Sequence, residues 1–405
     1  MLFLLAWRNL WRSPRRTAIT LAALTLGVAG IVFLHSFRES SYGQLMRMVT
    51  EGLVGHLQVH GRGYQESPEV SNYLRDPVAI EARLRPVLPG LVAERRVLGA
   101  GLAASKESAA GALVMGLDTD PKRGSSMMTL RSGRSFSSRA PHEAVVGTEL
   151  AEELSLRLGD EVVLVGQAAD GSVANDRYAV VGTCDAGSNE LNATAVFLSL
   201  AAAQDFFGLG DGVHELVVNL PTDDEDVSAP LAAARAALDL NAVEALSWNE
   251  LLPELKSTMR SKRKNQHLVD VIVLLIVALG VWNAMTMSTF ERTGEFGVMS
   301  AVGTRPGRIG RLVLAEAVLQ GLLGLGAGVL LAAILLYGIG EIHYGVLAQT
   351  DLLGVRFPPA VRLRLHTGGV VSASVTALAT VVAGGLLPAL RAARLRPAVA
   401  LRYQR

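Results

Sequence analysis

The stretch TFERTGEFGVMSAVGTRPGRIGR, residues 289 to 311, joins two long apolar runs and carries six charges, two helix-forming segments and a Gly-Thr-x-Pro break. A turn that only returned the chain would need none of this. Within FERTGEFGVMSAV the spacing predicts a short amphipathic helix. Glu291, Arg292 and Glu295 cover one side, with Arg292 and Glu295 placed i, i+3 for an ion pair, while Phe296, Met299 and Gly303 line another. Gly303 is expected to end that helix, Thr304 to cap the next, and Pro306 to sit in its first turn. A rigid helix held between two spans, with a charged edge and an apolar one, is a surface to offer a partner. The plainer alternative is a helix resting on lipid.

Working outward, four segments have the length and polarity to cross a hydrocarbon core that needs about 20 helical residues: 17–37, 268–290, 312–339 and 368–390. The composition agrees, since half the residues are apolar, 19% are charged and the mean hydropathy is +0.33. Abundant Ala, Leu, Gly and Val with few aromatics suits packed helices better than an outer-membrane barrel. Arg8, Arg12, Arg15 and Arg16 precede the first run, but no A-x-A site follows it, so it reads as an uncleaved anchor. Residues 1–16 hold four Arg and no acid, 291–311 hold four Arg, and 391–405 hold five Arg and no acid. The excess of cations places all three segments in the cytoplasm. Arg260, Lys262, Arg263 and Lys264 outside the second span oppose that orientation, but they end a long domain, which translocates largely regardless of charge.

Within the spans, Asp270 and Glu316 read as carboxylates snorkelling from near the span ends. Gly324 and Gly328 form a GxxxG whose small residues predict close helix packing, inside the subunit or across a dimer. The N-terminal AWRNLWRSPRRT sets Trp7 and Trp11, and Arg8 and Arg12, four residues apart, as in a helix lying in the membrane interface over residues 1–16.

Residues 38–267 are polar and mixed, and predict an exterior α+β domain. Two strand-helix-strand units stand far apart in it, GHLQVH to LVAERRVL and HELVVNL to AVEALSW. Asp76 and Ser228 are the expected N-caps of their helices, Pro77 and Pro230 fall in first turns, and the acids at 223–226 suit a helix N-terminus. Together these units predict one α/β lobe split by a β-rich insertion at about 105–212, where strands ALVMGLD, EAVVG, DEVVLVGQ, RYAVVGTCD and TAVFLSL and a helix TELAEELSL are read. Because both ends of the domain root in spans, it is expected to stand on a two-helix stalk. The remaining segments are an outer loop at 340–367 and a cytoplasmic tail at 391–405.

Catalytic spacings do not survive inspection. His142-Glu143 and His214-Glu215 lack a second His four residues on, there is no G-x-S-x-G, and there is no G-x-x-x-x-G-K-[ST] for phosphate binding. His35, His56 and His60 are scattered and read as structural. Cys184, the single cysteine, reads as a small half-buried residue rather than a reactive thiol. No enzyme, cofactor, metal site or nucleic-acid partner is expected.

The opening AWRNLWRSPRRTAITLAALTLGV, the central WNAMTMSTFERTGEFGVMSAVGTRPGRI and the closing GLLPALRAARLRPAVALR resemble, in order, the signature regions of the FtsX-like, MacB-type ABC transporter permeases. GRSFSSRAPHEAVVGTELAEELSLRLGDEVVL is similar to that family's exterior β-rich region. The resemblance implies an inner-membrane protein with four spans, both termini in the cytoplasm and a porter-like periplasmic domain. It implies a second permease subunit, identical or not, separate ABC ATPase subunits beneath the pair, and a periplasmic adaptor or carrier. It also implies that the link bearing Glu291, Arg292, Glu295, Phe296, Met299 and Gly303 is the coupling helix seated in the ATPase, which drives motion through the stalk rather than substrate through a channel. In length and in its outer loop the chain looks most like the lipoprotein-releasing LolC and LolE permeases, which implies extraction of a lipoprotein or other amphipathic substrate. The alternatives are MacB-like efflux of peptides or antibiotics and FtsX-like signalling to a periplasmic hydrolase.

Overall fold

A helix that must cross about 30 Å of hydrocarbon needs an unbroken apolar run, and among the described residues four helices have one. The computed structural model describes residues 2–118, 127–137, 140–222, 226–343, 351–352, 355–356 and 360–394. The chain begins with α1 (Leu2–Leu10) and α2 (Pro14–Arg47), and α2 passes into a π-helical turn, Met48–Leu53. β1 (Leu57–Gly61), α3 (Pro77–Leu84), β2 (Val92–Ala104) and β3 (Ala109–Leu117) follow, then β4 (Thr129–Gly133) and β5 (Glu143–Gly147). After them come α4 (Thr148–Glu153), β6 (Glu161–Gln167), β7 (Val173–Asp185), α5 (Asn189–Thr194), β8 (Ala195–Ser199) and α6 (Leu200–Phe207). β9 (Glu215–Asn219), α7 (Ser228–Ala237), β10 (Val243–Ser247) and α8 (Trp248–Leu251) complete the sheet region. Four helices remain: α9 (Pro253–Glu291), α10 (Thr293–Ala301), α11 (Pro306–Ile339) and α12 (Thr367–Ala393).

These elements form two units, one of Met1–Tyr42, Met259–Ile342 and Val361–Arg405, the other of Gly43–Thr258 and His343–Ala360. In the first, the four helices long and apolar enough to cross a membrane contain Thr17–Thr50, Leu274–Glu291, Pro306–Ile339 and Thr367–Ala393. Their shared core is built from small and branched side chains. Val28, Ile31, Val32, Ala332, Ala373 and Ala377 make one layer, and Leu24, Val281, Met285, Ala317 and Val381 another. Gly324 and Gly328 face α2 of the same chain. A Cβ on Gly324 would lie 2.6 Å from Cβ of Leu24, and one on Gly328 would lie 2.7 Å from Cβ of Val28. The GxxxG is therefore an intramolecular packing face, where a missing Cβ lets two backbones approach.

In the second unit, β1 runs antiparallel between β10 and β9, with Val59 opposite both Ala245 and Leu216. β9 is in turn antiparallel to β2, Glu215 facing Arg96. The order β10-β1-β9-β2 interleaves the two strand-helix-strand units read from sequence. Each crossover helix returns the chain two positions along, past one strand of the other unit, and α3 and α7 pack together. Asp76 caps α3, its Oδ1 accepting from the Ala79 N–H at 2.9 Å. The second helix begins differently from expectation, because its N-cap is Val227 and Ser228 is its first residue. Asp226 instead accepts from the Ser228 N–H at 3.0 Å, and 223–225 lie outside the described residues.

The insertion continues the same ladder. β2 pairs with β3 over Arg96–Ala104 and with β6 over Gly101–Ala104, and β3-β8-β5-β7-β4 follow. The long strand β2 is thus shared by the interleaved part and the inserted strands. β4, α5, α6 and α8 are additions to the sequence reading. Met115, Leu117, Phe136, Val145, Cys184 and Phe197 form the inserted core. Cys184 is fully buried, and that burial pushes its thiol up to about 12, with Asp185 adding to the shift. It is an inert core residue.

Candidate functional site

The link between the second and third long apolar runs folds as α10, between the end of α9 and the start of α11. α9 stops at Glu291, where Arg292 leaves the helical region with φ −102° and ψ 14°. Gly303, at φ +94°, ends α10 in a Schellman arrangement, the Thr304 N–H donating to Met299 O at 2.9 Å and the Gly303 N–H to Ser300 O at 3.1 Å. Thr304 does not cap α11. That position belongs to Arg305, with Pro306 following at the first helical residue.

Arg292 is the centre of the link. Its Nη1 donates to both carboxylate oxygens of Glu316, at 2.8 and 2.9 Å, and its Nε donates to Glu295 Oε2 at 3.1 Å, the i, i+3 pair expected from the spacing. The guanidinium also lies 5.1 Å from the centroid of the Phe296 ring. Glu316 takes a further donor from Nδ2 of Asn9 at 2.6 Å, and Arg12 reaches Glu295 at 3.0 Å. One network therefore joins the N-terminal segment, the link and α11. Burial by itself would lower the Arg292 pKa, but the Glu316 charge and its hydrogen bonds outweigh that and the net shift is upward, so the guanidinium stays charged. Glu316 is not a snorkelling carboxylate. Its side chain is 6% exposed and it lies inside α11, closed over by Arg292 and Asn9. Asp270 lies outside the residues whose side chains are described.

Beneath this network the apolar face of α10 is seated. Phe296, 1% exposed, packs with Ile309 and Val313 of α11 and Ala389 and Ala392 of α12, and Met299 closes the cluster. Of the six residues read as the coupling set, the structure turns Arg292, Phe296 and Met299 toward neighbouring helices, leaves Glu295 at the edge, and exposes Glu291 and Gly303. The outward surface also contains Val298, 48% exposed, and Val302, 83% exposed. Sequence reasoning passed over both, although their i, i+4 spacing was a readable signal of an apolar stripe. It also missed Asn9 and the pairing of Glu316. At the N-terminus, the Trp7 and Trp11 rings pack edge to face at 5.9 Å and both stay exposed beside Arg8. Among the described residues no group of three or more His, Cys, Asp and Glu could hold a metal ion.

A helical bundle with a clamped link, together with a sheet-rich domain between its first two long helices, defines a multi-span membrane protein with a large domain outside the bilayer. The chain belongs to the ABC transporter permease family with a MacB-like periplasmic core domain, matched over residues 17–237, and an FtsX-like permease C-terminal region, matched over 268–397. It is similar to the pyoverdine export ATP-binding/permease protein PvdT of Pseudomonas aeruginosa, 29% identical over 98% of this chain and 58% of that protein. It is similar to the macrolide export ATP-binding/permease protein MacB of Acinetobacter baylyi, 24% identical over 95% of this chain and 57% of that protein. The lipoprotein-releasing system transmembrane protein LolC of Xylella fastidiosa matches 65% of each chain at 25% identity. The chain spans 57–58% of the length of the export proteins it matches.

Proposed function

We propose that this chain is the transmembrane part of an ABC transporter that carries ATPase-driven motion to its periplasmic domain, moving an amphipathic substrate on the far side of the inner membrane. The observation that carries the proposal is the construction of α10. Arg292 and Phe296 fix it to α11 and α12, while Glu291, Val298, Val302 and Gly303 face outward. A helix so fixed passes force on its outer face to two spans at once, which a mobile loop cannot do. The ATPase is proposed as its occupant, because the sequence contains no phosphate-cradling motif of its own and the relatives that match its full span are named ATP-binding/permease proteins. The arginines of the termini and the link support a cytoplasmic location for all three, and a second permease copy or relative is proposed to complete the assembly.

For the substrate, two full-span relatives are named for export of pyoverdine and of macrolides, and a partial one for lipoprotein release. The efflux reading therefore stands level with lipoprotein release. The test is the pair Val298→Asp and Val302→Asp. Both are expected to fold, since they lie outward, and to abolish co-purification with the ATPase and ATP-dependent substrate movement. Unchanged association and movement would overturn the proposal.

A further inference from the structure

The π-helical turn Met48–Leu53 at the end of α2 leaves its last carbonyls to find partners outside the helix. One side chain supplies them. Arg96 on β2 donates from Nη1 to Leu53 O and from Nη2 to Gly52 O at 3.4 Å. Two further donors go to Glu94, Nε to Oε1 at 2.8 Å and Nη2 to Oε2 at 3.0 Å. Both side chains are essentially inaccessible, 2% and 3% exposed. Four of the five N–H donors are thus engaged, two fixing the orientation of the fork and two holding the helix end.

Two features make this more than a stable contact. Burying an arginine–carboxylate pair gains little over burying apolar side chains of the same volume, so its presence is poorly explained by stability. In addition, the segment after the turn is itself confined. Gly55 takes φ +72°, a Cβ on it would lie 2.5 Å from Val217 Cγ1, and the His56 N–H donates to Val218 O at 3.0 Å. The chain from the helix end into β1 thus has little slack on the β9 side, and Arg96 removes it on the β2 side. π-Turns also concentrate at functional sites within helices.

We infer that Arg96, oriented by Glu94, is the positioning residue that pins the end of the first long helix to the sheet, so that displacement of the helix reaches β2 instead of being absorbed between residues 48 and 55. The inference rests on the coupling reading for its purpose, but its first test needs neither ATPase nor nucleotide. In the full chain, the paired substitution Glu94→Met and Arg96→Met removes both charges together, so that Glu215, which faces Arg96 across the ladder, loses an attracting cation and a repelling carboxylate at once. Hydrogen exchange is then expected to rise at least tenfold across residues 48–56, including the Val54 and His56 amides, while β1 and the rest of β2 keep their protection. Wild-type protection at 48–56 would overturn the pin, and so would equal loosening of the strands, which is what a merely structural pair would give. If the paired variant loses its fold, Arg96→Lys serves instead: one donor replaces the fork, exchange at 48–56 is expected to rise at least threefold, and no rise would overturn the inference. In the assembled transporter the paired variant is expected to hydrolyse ATP at the wild-type rate with substrate output at least tenfold lower. Unchanged output would refute the transmitting role while leaving the seat on α10 intact, and a failed seat would show first in the Val298 and Val302 variants.

Discussion

Each unit of the molecule buries an arginine against a glutamate, and the two pairs do different work. Arg292 and Glu316 lie 24 residues apart, and Asn9 joins them from 307 residues away, so their bonds tie separate segments of the helical unit. Arg96 and Glu94 lie two residues apart on one strand, so their mutual bonds tie nothing distant, and the connection is made through backbone carbonyls at a helix end. The first pair holds helices to one another through side chains. The second orients one side chain so that it can hold a helix end. A buried ion pair is therefore informative less for its stability than for what each partner touches besides the other.

The largest effect expected from breaking this comparison comes at Glu316. Glu316→Ala strands a buried guanidinium and should destabilise the helical unit by about 3–5 kcal/mol, read as a lowered unfolding midpoint. The double change Arg292→Met, Glu316→Met should recover most of that loss yet still loosen α10. A single variant as stable as the wild type would mean that the pair is solvated.

In the sheet unit the strongest lever is pH. Burial lowers the His60 imidazole from 6.5 to about 4, with Glu244 at 3.8 Å opposing the shift. A base whose folded pKa is depressed contributes its full stability above the unfolded value and loses it as pH falls. The sheet unit should therefore hold steady above about pH 6.5 and lose about 3 kcal/mol by about pH 4. Burial lowers the His214 imidazole too, in the same direction, while its Nε2–H donates to Val70 O at 3.0 Å and its Nδ1 accepts from the Leu98 N–H at 3.0 Å. Comparing His60→Gln with the wild type across that range checks the assignment, since the variant should show a flatter profile.

Smaller effects sharpen the same contrast between side-chain and backbone fastening. Gly328→Val places atoms where Val28 Cβ already lies 2.7 Å from a bare Cβ, and should cost about 1–3 kcal/mol while leaving the sheet unit's exchange untouched. Asp76→Ala removes a single cap from α3 and should cost about 1 kcal/mol, confined to the sheet unit. Either effect spreading into the other unit would show that the two are not independently held.

Much of this was legible in the sequence, and the reason for each success or failure is physical. The apolar runs, the cap at Asp76 and the two strand-helix-strand units are encoded in local pattern, because hydropathy, capping and alternation act over a few residues, whereas the interleaving of their strands is set by long-range pairing that the pattern does not carry. Gly303 and Pro306 framed the link correctly, but the capping residue fell one position later than Thr304, as it fell one position earlier than Ser228 in α7. Glu316 was misread because its partners are distant in sequence, so a carboxylate in an apolar helix carried no local sign of being paired. Arg96 was hidden for the opposite reason. In LVAERRVL it looks like one of several charges on a strand, and nothing in the string distinguishes the buried Glu94 and Arg96 from their neighbours. Phe296 was recognised as apolar, but which way it faced depended on α11 and α12, which sequence does not place.

The central claim, that the outward face of α10 is the seat of an ATPase, is tested most directly by a photo-crosslinking residue at Val302 in the full chain in native membranes, with a second at Val173 on the sheet unit as control. A covalent adduct is expected from Val302 to a polypeptide whose peptides contain the phosphate-binding G-x-x-x-x-G-K-[ST] motif, and none from Val173. Adducts from Val302 only to lipid, or only to another copy of α10, would contradict it.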